Sequence, residues 1–385
     1  MALMLRDYID VVKLEQYVRE GLVDEKMHPQ FPLSLYCYGR KAVYDNVWDD
    51  CTTRCRGLIV NNQTGEIIAR PFEKFFNLGT ADIPETHLAN LPDGQPIITT
   101  KLDGSLGILY RYDGVDYIAS KGSFVSEHAN WATAWFRSHV GARGAWPKGY
   151  TPVFEMICEQ VQRHVVNYGG NNDGLILTAI ISVDTGWELP PDVVNYWAGQ
   201  NRLRSLVHIE KTVDEVVQEN NPNEEGYVLA WPRPGNDTFS SPFRVKIKFV
   251  DFLRLQRVLH SVGPKEILDA LRHKHLRGYF SDWLNADTMP KEFIQYVHEW
   301  MQKFGREFGR IRGLTNTEVQ CARTMLSKDV PRKEFALRFV QKPYPAILFA
   351  TLDGNAELRD SLIWEECKKL AKEARPLWEA TDGEE

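Results

Sequence analysis

The sequence predicts an α+β fold, with an N-terminal domain of residues 1–250 built on antiparallel sheets and an all-helical C-terminal domain of residues 251–385. Up to about residue 250, short β-branched and apolar runs alternate with Asn, Asp and Gly turns, a pattern typical of hairpins. Beyond that point, apolar residues recur every three or four positions, which predicts amphipathic helices. The change of period therefore indicates two domains.

The predicted strands of the N-terminal domain come from runs bounded by turn residues. Residues 56–60 precede an Asn-Asn-Gln-Thr-Gly turn at residues 61–65, and residues 107–112 precede Asp113-Gly114. A further run covers residues 175–183. Strands joined by such short turns pair antiparallel, which predicts the type of sheet.

Helix signals are sparse before residue 250 and frequent after it. Ser126 can cap a helix that continues through Trp131. Pro264 and Pro290 each stand where the first turn of a helix accepts proline. Residues 315–318, Thr-Asn-Thr-Glu, have the pattern of a capping box and predict the start of another helix. The segment after Pro290 carries a stripe that predicts a buried helix face: Phe293, Val297, Trp300, Phe304, Phe308 and Ile311.

The composition excludes several classes of protein. With 43% hydrophobic and 25% charged residues, the chain is neither disordered nor fibrous. No run reaches the roughly 20 apolar residues of a membrane span, and the first residues lack an apolar signal segment, so we expect neither membrane insertion nor secretion. The 6 scattered cysteines predict reduced thiols in a cytoplasmic protein, and nothing completes Cys51 and Cys55 into a zinc site. The net charge of −6 does not by itself indicate a nucleic-acid binder.

The most informative segment is Thr-Thr-Lys-Leu-Asp-Gly-Ser-Leu-Gly-Ile at residues 99–108. Its threonines and the preceding isoleucines predict a strand that ends near Lys101, and Asp103-Gly104 predicts a tight turn into the next strand. A lysine fixed at the end of a strand is well placed to act as a nucleophile, provided that burial or adjacent cations lower its pKa. For this segment alone, a hairpin with a solvated lysine remains the alternative.

Three further clusters favour the nucleophile. Glu155 ends an otherwise apolar run, and Glu225 directly precedes a predicted strand. Arg244, Lys246 and Lys248 alternate with apolar residues and therefore share one strand face, which could also be simply solvated. Cations neutralise a polyphosphate and lower the pKa of a neighbouring lysine, whereas acids can hold a ribose hydroxyl or a divalent metal ion. The set is what attack of a lysine on a nucleoside triphosphate requires.

The Lys101-Leu-Asp-Gly-Ser-Leu segment resembles the Lys-x-Asp-Gly nucleotidyl-acceptor motif of the covalent nucleotidyltransferases, which include DNA ligases, RNA ligases and mRNA capping enzymes. The other clusters follow in the same order, Phe154-Glu155 resembling motif III, Glu225-Gly-Tyr-Val motif IV and Lys246-Ile-Lys248 motif V. Three more segments are similar to the RNA ligase 1 family of the T-even bacteriophage type: Arg54-Cys-Arg-Gly-Leu-Ile-Val, Arg70-Pro-Phe-Glu-Lys-Phe-Phe-Asn and Ser120-Lys-Gly-Ser. The resemblance covers roughly residues 35–250.

The resemblance implies a role for each matched residue. Lys101 would form the phosphoramidate with AMP. Glu155 would contact the ribose of the adenylate, and Glu225 would help to hold a catalytic divalent metal ion. Lys246 and Lys248 would engage the α-phosphate, with Lys248 acting in the later steps. The remaining matches in the nucleotide site are Arg56 and Lys74, which would orient the triphosphate tail, and Lys121.

The family chemistry implied by this resemblance is ATP-dependent RNA ligation in three steps. The lysine takes AMP from ATP, passes it to an RNA 5′-phosphate, and a 3′-hydroxyl end then displaces AMP. Mg²⁺ is the expected metal ion, with Mn²⁺ as an alternative. The RNA partner would carry 5′-phosphate and 3′-hydroxyl ends, tRNA being one candidate, and a kinase or phosphatase could heal the ends beforehand. The location would be cytoplasmic, or the host cytoplasm if the chain is phage-encoded.

The helices predicted for residues 251–385 distinguish between the related enzyme families. DNA ligases and capping enzymes carry a β-barrel OB-fold after this domain, so the predicted helices exclude both and favour the RNA ligase family, where a helical appendage is associated with substrate preference. Two alternatives stay open: a tRNA-splicing-type ligase that requires a 2′-phosphate, and a non-catalytic RNA-binding protein with a degenerate site. The chain departs from the family pattern where the base of the nucleotide would bind. The strand at residues 175–183 lacks an aromatic residue to stack on it, so the choice of ATP over GTP rests on the family.

Overall fold

The structure, a computed structural model, describes residues 2–169, 172–231, 243–273, 289–325, 331–372, 374 and 376–377. The chain divides into two compact units, Met1–Leu253 and Arg254–Glu379. Strands occur in the described residues of the first unit, and the described residues of the second unit form only helices and connections. The predicted α+β class, with antiparallel sheets followed by a helical C-terminal region, is confirmed.

The strands of the first unit form three sheets. In chain order they are β1 (Val23–Met27), β2 (Leu33–Tyr38), β3 (Arg56–Asn61), β4 (Ile67–Ala69), β5 (Phe76–Asn77), β6 (Ile97–Lys101), β7 (Ser105–Tyr112), β8 (Val115–Ser120), β9 (Tyr150–Ile157), β10 (Gly174–Ser182), β11 (Arg204–Ser205), β12 (His208–Ile209), β13 (Gly226–Trp231) and β14 (Phe243–Lys248). Sheet A has the order β1-β2-β3-β4, sheet B the order β11-β10-β9-β7-β8, and sheet C the order β12-β6-β13-β14-β5.

The helices of the first unit flank these sheets. They are α1 (Leu5–Tyr8), α2 (Val11–Glu20), α3 (Arg40–Tyr44), α4 (Asp50–Arg54), α5 (Glu127–His139), α6 (Pro191–Gln200) and α7 (Val213–Gln218), and α8 (Val250–Ser261) crosses the boundary between the units. Short 3-10 turns lie at Pro84–Thr86 and Leu88–Asn90.

Most strand pairs are antiparallel, as the hairpin pattern predicts. The parallel pairs in the described residues, β10 with β11 and β14 with β5, contain two residue pairs each at sheet edges. The turn between β7 and β8 lies at Asp113 and Gly114, which have φ angles of 50° and 78°, the left-handed conformation of a tight hairpin turn. The predicted cap at Ser126 is also confirmed, because its side chain accepts a hydrogen bond from the Ala129 N–H at 3.2 Å.

The two faces of sheet B pack against different parts of the first unit. One face packs against α5 and α6 in a core that includes Phe136, Phe154, Leu177 and Ile180, all buried. Glu155 alternates with Phe154 along β9, so its side chain leaves on the opposite face. On that face Val153 and Ile181 pack against Leu106 of β7 and against Phe72, which precedes β5 of sheet C. The alternation of the sequence therefore directs the acid away from the helix-covered core.

The described residues of the second unit form a series of helices. They are α9 (Pro264–Arg272), α10 (Lys291–Met325), α11 (Arg332–Phe339), α12 (Pro345–Leu352) and α13 (Ala356–Cys367), followed by a 3-10 turn at Lys368–Ala371. The predicted stripe on α10 is confirmed where Phe293, Val297, Phe304 and Ile311 are buried. None of the described helices has the length and apolarity needed to span a bilayer.

One predicted helix start is wrong. The Thr-Asn-Thr-Glu pattern at residues 315–318 lies inside α10, which runs without interruption from Lys291 to Met325. Thr315 is buried there, and its hydroxyl donates to the carbonyl of Ile311 at 2.9 Å, one turn back. A threonine can satisfy its hydroxyl in this way within a helix, and burial of the flanking apolar stripe keeps the helix continuous.

The centre of sheet C depends on a glycine. Gly226 starts β13 and lies between Lys101 of β6 and Lys248 of β14 in the strand register. Its φ of 147° is one that side-chain-bearing residues rarely adopt, and a Cβ atom there would lie 1.9 Å from the carbonyl oxygen of Ile247. No side chain fits at this point without moving β14.

We expect Gly226→Ala to reduce the free energy of unfolding by about 3 kcal/mol or more, because a backbone clash adds to the conformational cost. The control is Gly114→Ala, which has a φ of 78° but open space around the new Cβ atom and should lose about 1–2 kcal/mol. Urea unfolding of the two variants measures the difference. Equal losses in both would contradict the importance of the close approach between β13 and β14.

Candidate active site

Lys101 and Lys248 converge on one carboxylate. Glu225, which is only 4% exposed, accepts a hydrogen bond from Lys101 Nζ to its Oε2 at 2.6 Å, and its Oε1 lies 3.0 Å from Lys248 Nζ. The arrangement follows from sheet C, in which Gly226 aligns with both lysines and Glu225 comes directly before it. One buried anion therefore neutralises two cations, which stabilises both ammonium groups.

The pKa of Lys101 differs from the expectation based on its segment. Burial would lower that pKa, but the carboxylates of Glu225 and Glu155 raise it above its ordinary value. The surroundings of Lys101 in the protein without bound nucleotide therefore do not supply the lowered pKa that a nucleophilic lysine requires. The sequence suggested cations as the neighbours of Lys101. In the folded chain, the two carboxylates are the charged groups with the largest effect on its pKa.

Glu155 lies beside the turn that follows Lys101. On β9 it pairs with Leu106 of β7 and Ile176 of β10. Gly104 of the turn is in such close contact that a Cβ atom added to it would lie 2.9 Å from Glu155 Cγ and 2.7 Å from the Met156 carbonyl oxygen. The Lys-x-Asp-Gly turn can therefore press against β9 only because its fourth residue is glycine.

Lys246 is surrounded by positive charge. Burial lowers its pKa first, and the neighbouring cations Lys101, Lys74, Lys248 and Arg56 lower it further, to about 6. A lysine with such a pKa is largely neutral at pH 7. An anion placed among these groups would restore the charge of Lys246, so the cluster is suited to bind a polyphosphate.

A second part of the cluster surrounds the Tyr38 hydroxyl. Lys121 Nζ lies 3.4 Å from this oxygen, and Lys74 Nζ lies 5.0 Å from the centroids of both Tyr38 and Trp48. Burial alone would raise the pKa of Tyr38, but Lys121, Arg56 and Lys74 lower it overall. The Arg56 Nη1 atom is buried without a hydrogen-bond acceptor among the described residues. An unsatisfied guanidinium nitrogen beside two lysines fits an anionic ligand such as a triphosphate.

A segment between β9 and β10, residues 158–169, holds the lysine turn in place. The backbone N–H groups of Val165 and Val166 donate to Asp103 Oδ2 at 2.6 and 2.9 Å, and the Asp103 N–H donates to the Tyr168 hydroxyl at 2.7 Å. Asn167 N–H donates to the Asn223 side-chain oxygen at 2.6 Å, two residues before Glu225. The segment therefore joins the turn after Lys101 to the approach to Glu225.

Sequence reasoning missed these supporting residues, together with Tyr38. Asn223 and Tyr168 are 55 positions apart and belong to no shared local motif, so no spacing within the chain relates them. A turn preference was visible at Asp103, but its acceptance of two amides from a distant segment was not. Their contacts arise only when β6, β9 and β13 come together.

Arg244 does not join the cation cluster with which its strand pattern groups it. It alternates correctly with Lys246 along β14, but its guanidinium forms an ion pair with Glu188 and lies 4.6 Å over the Phe72 ring. The three side chains therefore share one strand face, as predicted, but the ion pair with Glu188 separates Arg244 from the cluster formed by the lysines. The long side chain of Arg244 reaches a carboxylate outside its own strand. A buried carboxylate accepts two hydrogen bonds from the guanidinium, whereas the neighbouring lysines only repel it.

The predicted site residues come together in one part of the first unit. The contacts and electrostatic couplings above join the full set: Arg56, Lys74, Lys101, Lys121, Glu155, Glu225, Lys246 and Lys248. In the parts of the chain that the structure describes, no three His, Cys, Asp or Glu side chains form a group able to hold a metal ion. A metal ion at Glu225 would therefore need phosphate and water oxygens as further ligands, which Mg²⁺ accepts readily.

We expect pyrophosphate binding, measured without divalent metal, to take up about one proton through Lys246 near pH 7.5. The free group has a pKa of about 6 and a bound anion raises it, so the complex holds more protons and the affinity falls as pH rises above 6. Calorimetry in buffers of different ionisation enthalpy measures the uptake. Lys246→Met corrects for titration of the ligand itself; the same uptake in this variant and in the wild type would contradict the assignment.

Comparison with known proteins identifies related chains. A family model of the T4 type described as RNA ligase matches residues 54–250. A protein of Thermovibrio ammonificans named "Putative RNA ligase" is 28% identical over 250 residues, which is 62% of this chain and 62% of that protein. The chain thus spans about 62% of the length of this curated relative.

Two solved structures resemble the chain more distantly. A mutant of Naegleria gruberi RNA ligase with ATP and Mn has 16% identity and a TM-score of 0.36, covering 48% of this chain and 57% of that chain. A "Putative ATP-dependent DNA ligase" from Aquifex aeolicus has 12% identity and a TM-score of 0.45, covering 78% and 80%.

The family match covers just over half of the 385 residues and extends from Arg54, ahead of β3, to Val250, two residues after the lysine-bearing strand β14. The eight predicted site residues lie within it, whereas Tyr38 precedes it. The chain belongs to the T4-type RNA ligase family.

Proposed function

We propose that the protein is an ATP-dependent RNA ligase that joins 5′-phosphate and 3′-hydroxyl RNA ends through a lysyl-AMP intermediate. The observation that carries the proposal is Lys101 between a buried carboxylate and a cluster of cations, with Lys246 held at a pKa of about 6. A nucleophile next to a polyphosphate site is the geometry that nucleotidyl transfer requires. In this proposal residues 1–250 form the adenylyltransferase domain.

The first step transfers AMP to Lys101. Arg56, Lys74 and Lys121 neutralise the β- and γ-phosphates, and Lys246 and Lys248 neutralise charge at the α-phosphate. The Lys101 ammonium loses a proton, for which Glu225 Oε2 at 2.6 Å is an acceptor, and its nitrogen then attacks the α-phosphorus. A P–N bond forms as the bond to pyrophosphate breaks.

Glu155 and Glu225 divide the remaining tasks. Glu155, on the opposite sheet face from the helix-covered core, binds the ribose hydroxyls of the adenylate. Glu225 is the carboxylate that would hold Mg²⁺ or Mn²⁺, whose charge neutralises phosphate oxygens when it is bound. The base packs against aliphatic side chains, and the preference for ATP over GTP is proposed from the family.

The later steps use the same site. A 5′-phosphate oxygen of RNA attacks the lysyl-AMP phosphorus and releases Lys101, which takes up a proton. The 3′-hydroxyl of a second RNA end then attacks the 5′-phosphorus, with AMP as the leaving group. Lys248, which is 16% exposed and paired with Glu225, would neutralise the negative charge that develops on phosphate oxygens in the transition states of these later steps.

The helical unit is proposed to select the RNA, with tRNA as one candidate substrate after its ends are healed by a kinase or phosphatase. The basic segment of residues 331–342 is a candidate RNA contact there, although ion pairs neutralise part of its positive charge. Arg332 lies 2.7 Å from Asp353, and Lys342 lies 3.0 Å from Glu318. RNA binding at this segment would have to displace or add to these pairs.

Label transfer tests the proposed nucleophile. We expect the wild type, incubated with Mg²⁺ and α-labelled ATP, to retain acid-labile label after denaturation, and Lys101→Ala to retain none. Lys211→Ala is a matched control, because Lys211 also forms a 2.6 Å ion pair, with Glu219, outside the candidate site. Label from GTP alone would change the reaction to guanylyl transfer. No label, even after pyrophosphate has removed prebound AMP, would exclude the nucleotidyl-transfer mechanism.

The RNA ends are tested separately. We expect sealing of RNA with a 5′-phosphate and a 2′,3′-diol, and a block when the 3′ end carries a phosphate in place of the hydroxyl nucleophile. The measurement is the yield of ligated product with each end. Sealing only of ends with a 2′-phosphate would instead indicate a ligase of the tRNA-splicing type.

A further inference from the structure

The groups needed for AMP transfer lie on two different sheets. Glu155 belongs to β9 of sheet B, whereas sheet C and the residue directly before β13 carry Lys101, Glu225, Lys246 and Lys248. Displacement of reacting groups by about 1 Å can cost roughly 100-fold in rate, so the placement of one sheet against the other is itself a requirement for the reaction. The inference below rests on the function proposed above.

The chain itself joins the sheets at the turn between Lys101 and Ser105. A second connection is made by side chains. Arg244, two residues before Lys246 on β14, donates from Nη1 to Glu188 Oε1 at 2.5 Å and from Nη2 to Oε2. Glu188 forms an isolated β-bridge with Ile181 of β10, so it belongs to the sheet B side. The ion pair therefore ties the lysine-bearing strand to the sheet that carries Glu155.

The pair is enclosed rather than solvated. The side chains of Arg244 and Glu188 are 12% and 6% exposed. The guanidinium lies 4.6 Å over the ring of Phe72, which in turn packs against Val153 and Ile181 of sheet B. Movement of Arg244 relative to sheet B would therefore break two hydrogen bonds and a ring contact together.

Stability alone does not require such a pair. An apolar pair of similar volume commonly stabilises a core as well as a buried ion pair does, or better. The two-pronged contact between guanidinium and carboxylate instead fixes both a distance and an orientation. Because Arg244 is bound to Glu188, it contributes to the site through the position of β14 rather than through contact with phosphate.

We propose that Glu188 and Arg244 are positioning residues for the ligase reaction. Their ion pair sets β14 against sheet B and so holds Lys246 and Lys248 in the correct relation to Glu155 during AMP transfer. Loss of the pair slows the chemical step at saturating ATP. The affinity for ATP changes less, because Arg56, Lys74 and Lys121 hold the triphosphate tail from other segments.

The test measures the single-turnover rate of lysyl-AMP formation, the KM for ATP and the melting temperature. We expect Glu188→Gln to lower the rate at saturating ATP by about 10- to 100-fold while the KM changes by less than about threefold. Arg244→Lys, which keeps the charge but loses the fork, should lose less of the rate. The double variant Glu188→Met with Arg244→Met should recover the melting temperature without recovering the rate.

The matched control is Asp116→Asn, which breaks another two-pronged pair between an arginine and a buried carboxylate in the same unit. Arg111 donates to both oxygens of Asp116 at 2.6 and 2.8 Å, and Asp116 is fully buried. This variant should have a lower melting temperature than the wild type and the same rate of AMP transfer. The rate is measured well below the melting temperatures of all variants.

Two results would overturn the positioning role. In one, the double apolar variant recovers both the melting temperature and the rate, so that the pair only stabilises the fold. In the other, Glu188→Gln keeps the wild-type rate although its pair is broken. A wild-type protein that takes up no label at all overturns the proposed function, and the role of the pair with it.

Discussion

Like charge gathered in a small buried volume is the constraint on which the rest of the first unit depends. Glu225 supplies one carboxylate between Lys101 and Lys248, and Lys246 responds to its cationic neighbours with a pKa of about 6. The Nη1 atom of Arg56 is buried and has no acceptor in the described part of the chain. The depressed pKa of Lys246 and the unsatisfied nitrogen of Arg56 each cost stability in the free protein, and a polyphosphate bound among these groups would relieve both costs.

The scaffold holds these charges by contacts that lie outside the cluster. Gly226 allows β13 and β14 to approach without a side chain between them, and Gly104 allows the lysine turn to press on β9. Asp103 accepts two amides of the segment after β9, and Arg244 is bound to Glu188. Such supports remove the freedom of the charged groups to move apart, which their mutual repulsion would otherwise favour.

Local features of the chain were predictable where local physics decides them. The Asp113-Gly114 turn and the Ser126 cap need only their own residues, and the structure has both. The capping pattern at Thr315 was misleading because burial of a long apolar stripe continued the helix through it. The raised pKa of Lys101 and the ion pair of Arg244 could not be predicted for a related reason, since each depends on a carboxylate from a distant segment.

The sequence by itself determined the class of fold, the order of the motifs and the residues that share a strand face, because strand and helix periods follow from backbone geometry alone. It also contained all eight site residues within the matched family region. The tertiary structure decided which of them touch, which are protonated and which residues support them. Coulomb interactions and desolvation depend on distance and burial in three dimensions, and neither quantity can be read from the spacing of residues along a chain.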